Sequence, residues 1–365
     1  MSQPRAGEKH SPLAFKHASF EADTAPSKPS TTASGNSSTV KSILSIPRLI
    51  WDFTESNFST FVVPNTAFGL LGGLTGAPLT SGPATTLSVL RRAPLVVAFN
   101  WYSVLIFDLA NQRGLESVEE DRANKPWRPI PSGKVTPEQT RRAMLAAIPA
   151  VMVLNYVLGV WREGALVLIL TWLYNDLRGG DTLARDVIIA AAYGLFNTAS
   201  LKIAIGDVDG LGGSGLEVTR EGYAWAGVIS AVILTTMQVQ DLKDQAGDAG
   251  RGRNTVPLYF GDGASRASLA ALVPLWSAVC TYLWGAGSGS GASGVLDEAQ
   301  QRSWASVLLL LLPAASGALV VAGVLRARTP ETDARAWRLW CLWTVCLYAL
   351  PLVGDGFASF RGARV

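Results

Sequence analysis

Histidine is nearly absent from this chain of 365 residues: His10 and His17 are the only two, both in a polar N-terminal stretch. Their scarcity excludes a histidine base or a histidine metal centre from everything that follows. Cysteine is scarce too. Cys280, Cys341 and Cys346 each lie in an apolar run, at no zinc-ligand or disulfide spacing in a soluble loop, and read as reduced core thiols. Charge is low: 16% of residues are Asp, Glu, Lys or Arg, and a net charge of +3 is too small to argue for a nucleic-acid partner. No protein partner is indicated. What abounds is apolar surface. Hydrophobic residues make up 48% of the chain, its mean hydropathy is positive, and the runs are too long for a soluble core. The implied solvent is a lipid bilayer.

Residues 1–40 are rich in Ser, Thr, Pro, Ala and Lys and have no apolar face, so a disordered tail is expected there. They hold no apolar core of a signal peptide. From Lys41, "KSILSIPRLIWDF" fits a short helix lying in the interface, and 41–365 read as one membrane domain. Nine apolar segments follow, at roughly 57–77, 89–110, 138–160, 163–177, 184–205, 222–240, 264–285, 303–325 and 336–354. The fourth is short. The expected fold is therefore all-α, a polytopic membrane protein of about nine helices. Lys and Arg concentrate in the loops after the second, sixth and eighth segments, which should share the cytoplasmic side with the basic N-terminus.

Two of those loops are also acidic. The first, "DLANQRGLESVEEDRANKPWRPIPSGK", carries Asn111, Glu116, Glu119, Glu120 and Asp121 just before a proline-stiffened basic stretch with Lys125 and Arg128. The second, "QDLKDQAGDAGRGR", places Asp241, Asp244 and Asp248 near one face of a helix end, with Lys243 and Arg253 alongside. Three like charges on one face repel unless a cation joins them. Mg2+ suits such hard oxygen donors, because it takes one or two carboxylates together with substrate phosphates. Nearby cations would neutralise phosphate oxygens. Each loop alone also fits a solvated charged surface; the two on one side of a membrane domain point to a diphosphate and its metals.

At this point the chain resembles the UbiA superfamily of intramembrane prenyltransferases. "NKPWRPIPSG" is similar to the family's segment after its first Asp-rich motif, and "DLKDQAGDAGRGRNTVPLYFG" to its second. The resemblance implies nine transmembrane helices around a central cavity, Mg2+, and an isoprenyl diphosphate substrate. It implies Asn111, Glu116, Asp121, Asp241, Asp244 and Asp248 as metal-binding and catalytic residues, and the cations beside them, Lys125, Arg128, Lys243 and Arg253, are expected to bind the diphosphate. "YNDLR" is similar to a Tyr-x-x-x-Lys element near the diphosphate, with Tyr174 in place and Arg178 for the Lys; Arg178 also fits an ordinary snorkelling residue. The first motif departs from Asn-Asp-x-x-Asp-x-x-x-Asp: Gln112 follows Asn111, and Glu116 comes one residue late. Which of Glu116, Glu119 and Glu120 faces a metal is left open.

This form looks most like a fungal branch that includes membrane-bound terpene cyclases, which close the prenyl chain on itself; a fungal protein of this kind would sit in the endoplasmic reticulum membrane. A transferase that joins the prenyl cation to an aromatic or other acceptor is the alternative, and a transporter gated by acidic loops a remote one. Clustering of the acids at one interface rather than at mid-membrane argues against a transporter. Intramembrane polar residues are costly in lipid, so Asn65, Asn100, Asn197 and Gln238 are expected to face the cavity. Lys202 is read either as a cavity residue or as a snorkelling one.

Overall fold

A backbone in lipid must satisfy its own hydrogen bonds, and this chain does so with helices. A computed structural model describes residues 35–206, 214–285, 304–326 and 328–353. Helix α1 (Gly35–Asn57) passes through a π-helical turn, Phe58–Val62, into α2 (Val63–Thr75). Then come α3 (Thr86–Gln112), α4 (Leu115–Asn124), α5 (Pro137–Val157) and α6 (Trp161–Asn175). A 3-10 turn at Gly179–Asp181 leads to α7 (Ala184–Ile205), followed by α8 (Arg220–Thr236) and a second 3-10 turn, Met237–Gln240. Short helices α9 (Gln245–Arg251) and α10 (Val256–Phe260) precede α11 (Asp262–Gly285), α12 (Trp304–Leu325) and α13 (Pro330–Tyr348). The chain divides into two units, Met1–Ser45 and Ile46–Val365; the second is described below. Most of the expected disordered tail lies outside the described residues, and residues 35–40 belong to α1.

Every one of the nine apolar segments carries helix. Among the described residues, six helices are long and apolar enough to cross a membrane: α3, α7, α8 with its 3-10 turn, α11, α12, and α13 with its final turn. Helices α2 and α6 are shorter, at 13 and 15 residues. Their ends follow local chemistry. Thr136 and Gln139 cap α5 reciprocally, backbone to side chain at both positions. Thr329 and Thr332 do the same for α13.

Helix α7 is the centre. It packs against α2, α3, α6 and α8. Its contact with α2 depends on small residues: a Cβ added at Gly69 would lie 2.6 Å from the Ser200 carbonyl, and one at Gly73 would lie 3.4 Å from the Ala204 Cβ. Gly-x-x-x-Gly on α2 against Ser-x-x-x-Ala on α7 lets the backbones approach, which supplies the dispersion that holds helices together in lipid. A second group, α11 to α13, is fastened by polar pairs. Arg266 forks onto both carboxylate oxygens of Asp333, at 2.8 Å each, with both residues buried. Trp343 Nε1 donates to Ser277 at 2.9 Å, and Trp340 Nε1 to Thr236 of α8 at 2.9 Å. Both groups are thereby fixed around the end of the bundle where α3, α6 and α8 run into the acidic loops.

Candidate active site

The two acidic loops meet. Helix α4 of the first packs on α9 of the second, so closely that a Cβ at Gly247 would lie 1.9 Å from Asn124 Nδ2. Any larger residue there displaces the Asn124 amide. Arginines then bridge the seam. Arg251 donates to Ser117 Oγ at 2.6 Å and to Glu120 at 3.3 Å; Arg253 reaches Asp248 at 3.0 Å, Glu120 at 3.4 Å and Asp181 at 3.3 Å. Asp181 comes from the 3-10 turn after α6, and its carbonyl also accepts from the Asn254 amide at 2.9 Å. Three separate loops thus share one charged wall. Burial raises the Asp181 carboxyl, but Arg178, Arg251 and Arg253 outweigh it and hold it below its ordinary value.

In the basic stretch, Arg128 is buried and one of its nitrogens lies 2.9 Å from both oxygens of Asp121. Lys134 reaches Asp52 of α1 at 2.6 Å, and Trp127 Nε1 donates to Glu55 of α1. The prolines and the positive φ of Gly133 (76°) fold this segment back onto α1. The dense opposite charges of the loop are therefore largely matched to each other.

The second motif is more deeply set. Asp241 is 1% exposed and accepts from Arg185 at 2.6 Å; Arg185 Nε also donates to the Tyr174 hydroxyl at 3.0 Å. Burial pushes the Asp241 carboxyl up, to about 7, against the pull of Arg185. Asp248, 2% exposed, is likewise raised by burial against Arg185 and Arg253. Asp244 behaves oppositely. Burial raises it, yet Lys243, its salt-bridge partner, and Lys125 hold it low. Lys243 Nζ also lies 4.8 Å from the centre of the Trp337 ring.

Beneath this wall is a cavity of about 1000 Å³. Its mouth is charged, with Asp121, Lys125, Arg128, Lys243, Asp244 and Arg253 in the lining. Its depth is apolar, reaching Phe61, Phe107, Leu170, Ile188, Ile189 and Phe196. Phe61 touches Tyr193 and Phe196 at ring-centre distances of 4.5 and 5.0 Å. The π-turn faces this cavity, with Ser59, Thr60 and Phe61 in succession along the wall; such turns widen a helix and recur at functional sites. Lys125 lines the mouth, and its side chain makes no hydrogen bond or salt bridge among the described residues. Burial first, and Arg128 second, push its pKa down to about 8.

The structure distributes the sequence-predicted residues unevenly. Asn111, Asp121, Asp244, Lys125, Arg128, Lys243, Arg253 and Tyr174 line the cavity. Asp241 and Asp248 stand behind the lining arginines Arg185 and Arg253, each paired with one of them. Glu116 does not line it; its half-exposed carboxylate pairs with the half-exposed Arg178 at 2.6 Å. Glu119 is exposed beside Arg122, while Glu120 lines the cavity. Asn65, Asn100, Asn197, Lys202 and Gln238 are also outside the lining. Four of them find partners between or within helices instead: Asn65 with the Phe61 carbonyl, Asn100 with Ser200 and Thr66, Gln238 with Ser265 and Ser268, and Lys202 with Glu163 at 2.8 Å. Asn197 is fully buried on α7.

Sequence reasoning missed Arg185, Asp181, Arg251 and Asn124. Arg185 carried a signal: an arginine at the head of an apolar run is costly and needs a partner. The others sit in polar loops where nothing separates a bridge from a solvated charge.

Among the described residues, no three His, Cys, Asp or Glu side chains cluster closely enough to hold a metal ion unaided. The donors that the two acidic loops present to the cavity are hard oxygens, from Asn111, Glu120, Asp121 and Asp244. That fits Mg2+ carried jointly by a carboxylate or two and a substrate's phosphates, and does not fit an all-protein metal cage.

The model of the UbiA prenyltransferase family matches residues 67–343. Among curated relatives, the diterpene cyclase eriG of Hericium erinaceus is 29% identical over 221 residues, covering 60% of this chain and 65% of that one. The polyprenyl transferase eriF of the same organism is 34% identical over 231 residues, covering 60% and 70%. A solved UbiA homolog from Archaeoglobus fulgidus, bound to DMAPP and Mg2+, superposes with a TM-score of 0.53 at 14% identity, covering 83% of this chain and 99% of that one. This last likeness concerns the fold.

Proposed function

The chain belongs to the UbiA prenyltransferase family, and from that premise we propose that it ionises an isoprenyl diphosphate of farnesyl or geranylgeranyl type and cyclises the freed chain to a terpene hydrocarbon. The observation that carries the proposal is the cavity: a charged mouth built from both acidic loops, opening onto an aromatic and aliphatic depth. It is an amphiphile's shape, with the diphosphate at one end and the isoprenoid at the other.

The chain's own residues have separate tasks in this reading. Lys125, Arg128, Lys243 and Arg253 hold the diphosphate oxygens, and Asp241 and Asp248 orient Arg185 and Arg253 from behind. Asn111, Asp121 and Asp244 would hold Mg2+, which when bound lowers the cost of negative charge on the leaving diphosphate. The allylic C–O bond breaks, its electron pair leaves with the diphosphate, and a carbocation remains. Phe61, Phe107 and Phe196 line the region where that cation lies, and aromatic faces stabilise positive charge while excluding water. A double bond of the same chain attacks the cation, and loss of a proton closes the sequence as a cyclic hydrocarbon.

The alternative is a transferase that gives the prenyl group to an aromatic or other acceptor. The 34% identity to a polyprenyl transferase favours it, as the 29% identity to a diterpene cyclase favours cyclisation. One assay separates them. Membranes holding the protein receive C10, C15 or C20 prenyl diphosphate with Mg2+ and no acceptor, and volatile products are analysed. A cyclic hydrocarbon from the C15 or C20 substrate is expected. Product formed only after a phenolic acceptor is added replaces the cyclase with the transferase.

A further inference from the structure

Most positive charge in the cavity wall is already matched. Arg128 holds Asp121, Arg185 holds Asp241, Arg253 holds Asp248 and Lys243 holds Asp244. Three lining cations have side chains with no hydrogen bond or salt bridge among the described residues: Lys125, and Arg335 and Arg338 of α13. The two arginines are exposed and stand three residues apart, so they share a helix face with Glu331 and Ala334, which line the same cavity. Glu331 is the one acid on that face; it makes no salt bridge to either arginine, although the charge of Arg335 helps to hold its carboxyl below the ordinary value.

The opposite face of α13 fixes this register. Asp333 is forked by Arg266 in the interior, Ala336 is fully buried, and Trp340 donates to Thr236. With those groups held, the helix cannot turn Arg335 and Arg338 away from the mouth. Trp337, between them in sequence, lies against Lys243 and so joins this face to the second acidic loop.

We propose that Arg335 and Arg338 form an outer anion site that takes the diphosphate head of the isoprenyl diphosphate at the cavity mouth, before it reaches the paired charges inside. The inference rests on the function proposed above. A prenyl diphosphate sits with its tail in the bilayer and its head at the interface. The inner arginines are neutralised by carboxylates, so attraction at first encounter comes from cations that are not. Guanidinium groups present fixed forks of donors that match phosphate oxygens. An anionic lipid headgroup offers the same chemistry, and the test separates the two sources.

The protein is placed in nanodiscs of phosphatidylcholine alone, and separately with added phosphatidylserine. Consumption of farnesyl and geranylgeranyl diphosphate and inhibition by inorganic diphosphate are measured for the wild type, for the R335Q/R338Q double variant and for R335K/R338K. In neutral discs the glutamine variant should raise KM and the inhibition constant about tenfold, with kcat within about twofold, and should flatten the dependence of KM on salt. The lysine variant should recover most of the loss, since the charge is kept. Unchanged KM and inhibition in neutral discs, a fall in kcat alone, or an effect seen only with phosphatidylserine each overturns the proposal; the last assigns the arginines to lipid. A wild type that neither consumes substrate nor is inhibited overturns the proposed function as well.

Discussion

In the loop after α3, Glu116 and Glu119 lie beside water with Arg178 and Arg122; in the stretch after α8, Asp241 and Asp248 lie in the interior with Arg185 and Arg253. The acid content of the two stretches is alike, and the pairing is of the same chemical kind. Solvent makes the difference. Where water screens both ions, the pair adds little and either partner is dispensable. Where it is excluded, each ion depends on the other, and removal of one leaves an uncompensated buried charge.

Substitution of Arg185 exposes that dependence most strongly. R185A should cost about 3–5 kcal/mol of stability by stranding Asp241, read as a fall in the unfolding temperature in detergent. R185M with D241L should recover much of the stability and none of the activity. An R185A protein as stable as the wild type would dissolve the contrast between the loops.

The seam between the loops comes next. G247A drives a Cβ into the Asn124 amide, which lines the cavity, and turnover should fall, by as much as about 100-fold if a reacting centre shifts by about 1 Å. The unfolding temperature should change little by comparison. Turnover equal to that of the wild type would mean that the two loops work without touching.

Lys125 gives a pH signature. In the proposed function its charged form holds the diphosphate, and with a pKa of about 8 it is charged below that value and neutral above it. Facing it are Arg128 and Lys243, which favour the neutral form, and Asp244 and Asp121, which favour the charged one. KM for the prenyl diphosphate should rise about tenfold from pH 7 to pH 9. K125R should be flat across that range. The same inflection in K125R would assign it to another group.

Glu116 should matter least. E116Q removes an exposed pair outside the cavity, and turnover at saturating Mg2+ should stay within about twofold. A loss comparable with that of D244N would return Glu116 to the metal site and erase the distinction between a surface acid and a buried one.

Much of this was legible in advance because charge is expensive in an apolar chain. The nine apolar segments emerge as helix, since a backbone in lipid has no cheaper choice. The acids and bases of the two loops stand out for the same reason. The pairings did not, because the partners are far apart in sequence: Arg185 and Asp241 are 56 residues apart, Arg253 and Asp181 are 72. Asn65 and Asn100 show the limit from the other side. Their burial was readable, but a buried amide can bond to helices as well as line a cavity, and here the amide nitrogens bond to the Phe61 carbonyl and to Ser200.

What the amino-acid order determined by itself was a helical membrane protein with two acidic loops and the residue types that handle a diphosphate, since hydropathy and local charge are properties of short stretches. Only the tertiary structure decided which of those charges face the cavity, which are matched behind it, and that α13 brings two unmatched arginines to its mouth. Those outcomes depend on contacts such as Gly247 on Asn124 and Arg266 on Asp333, made between segments that become neighbours only when the helices pack.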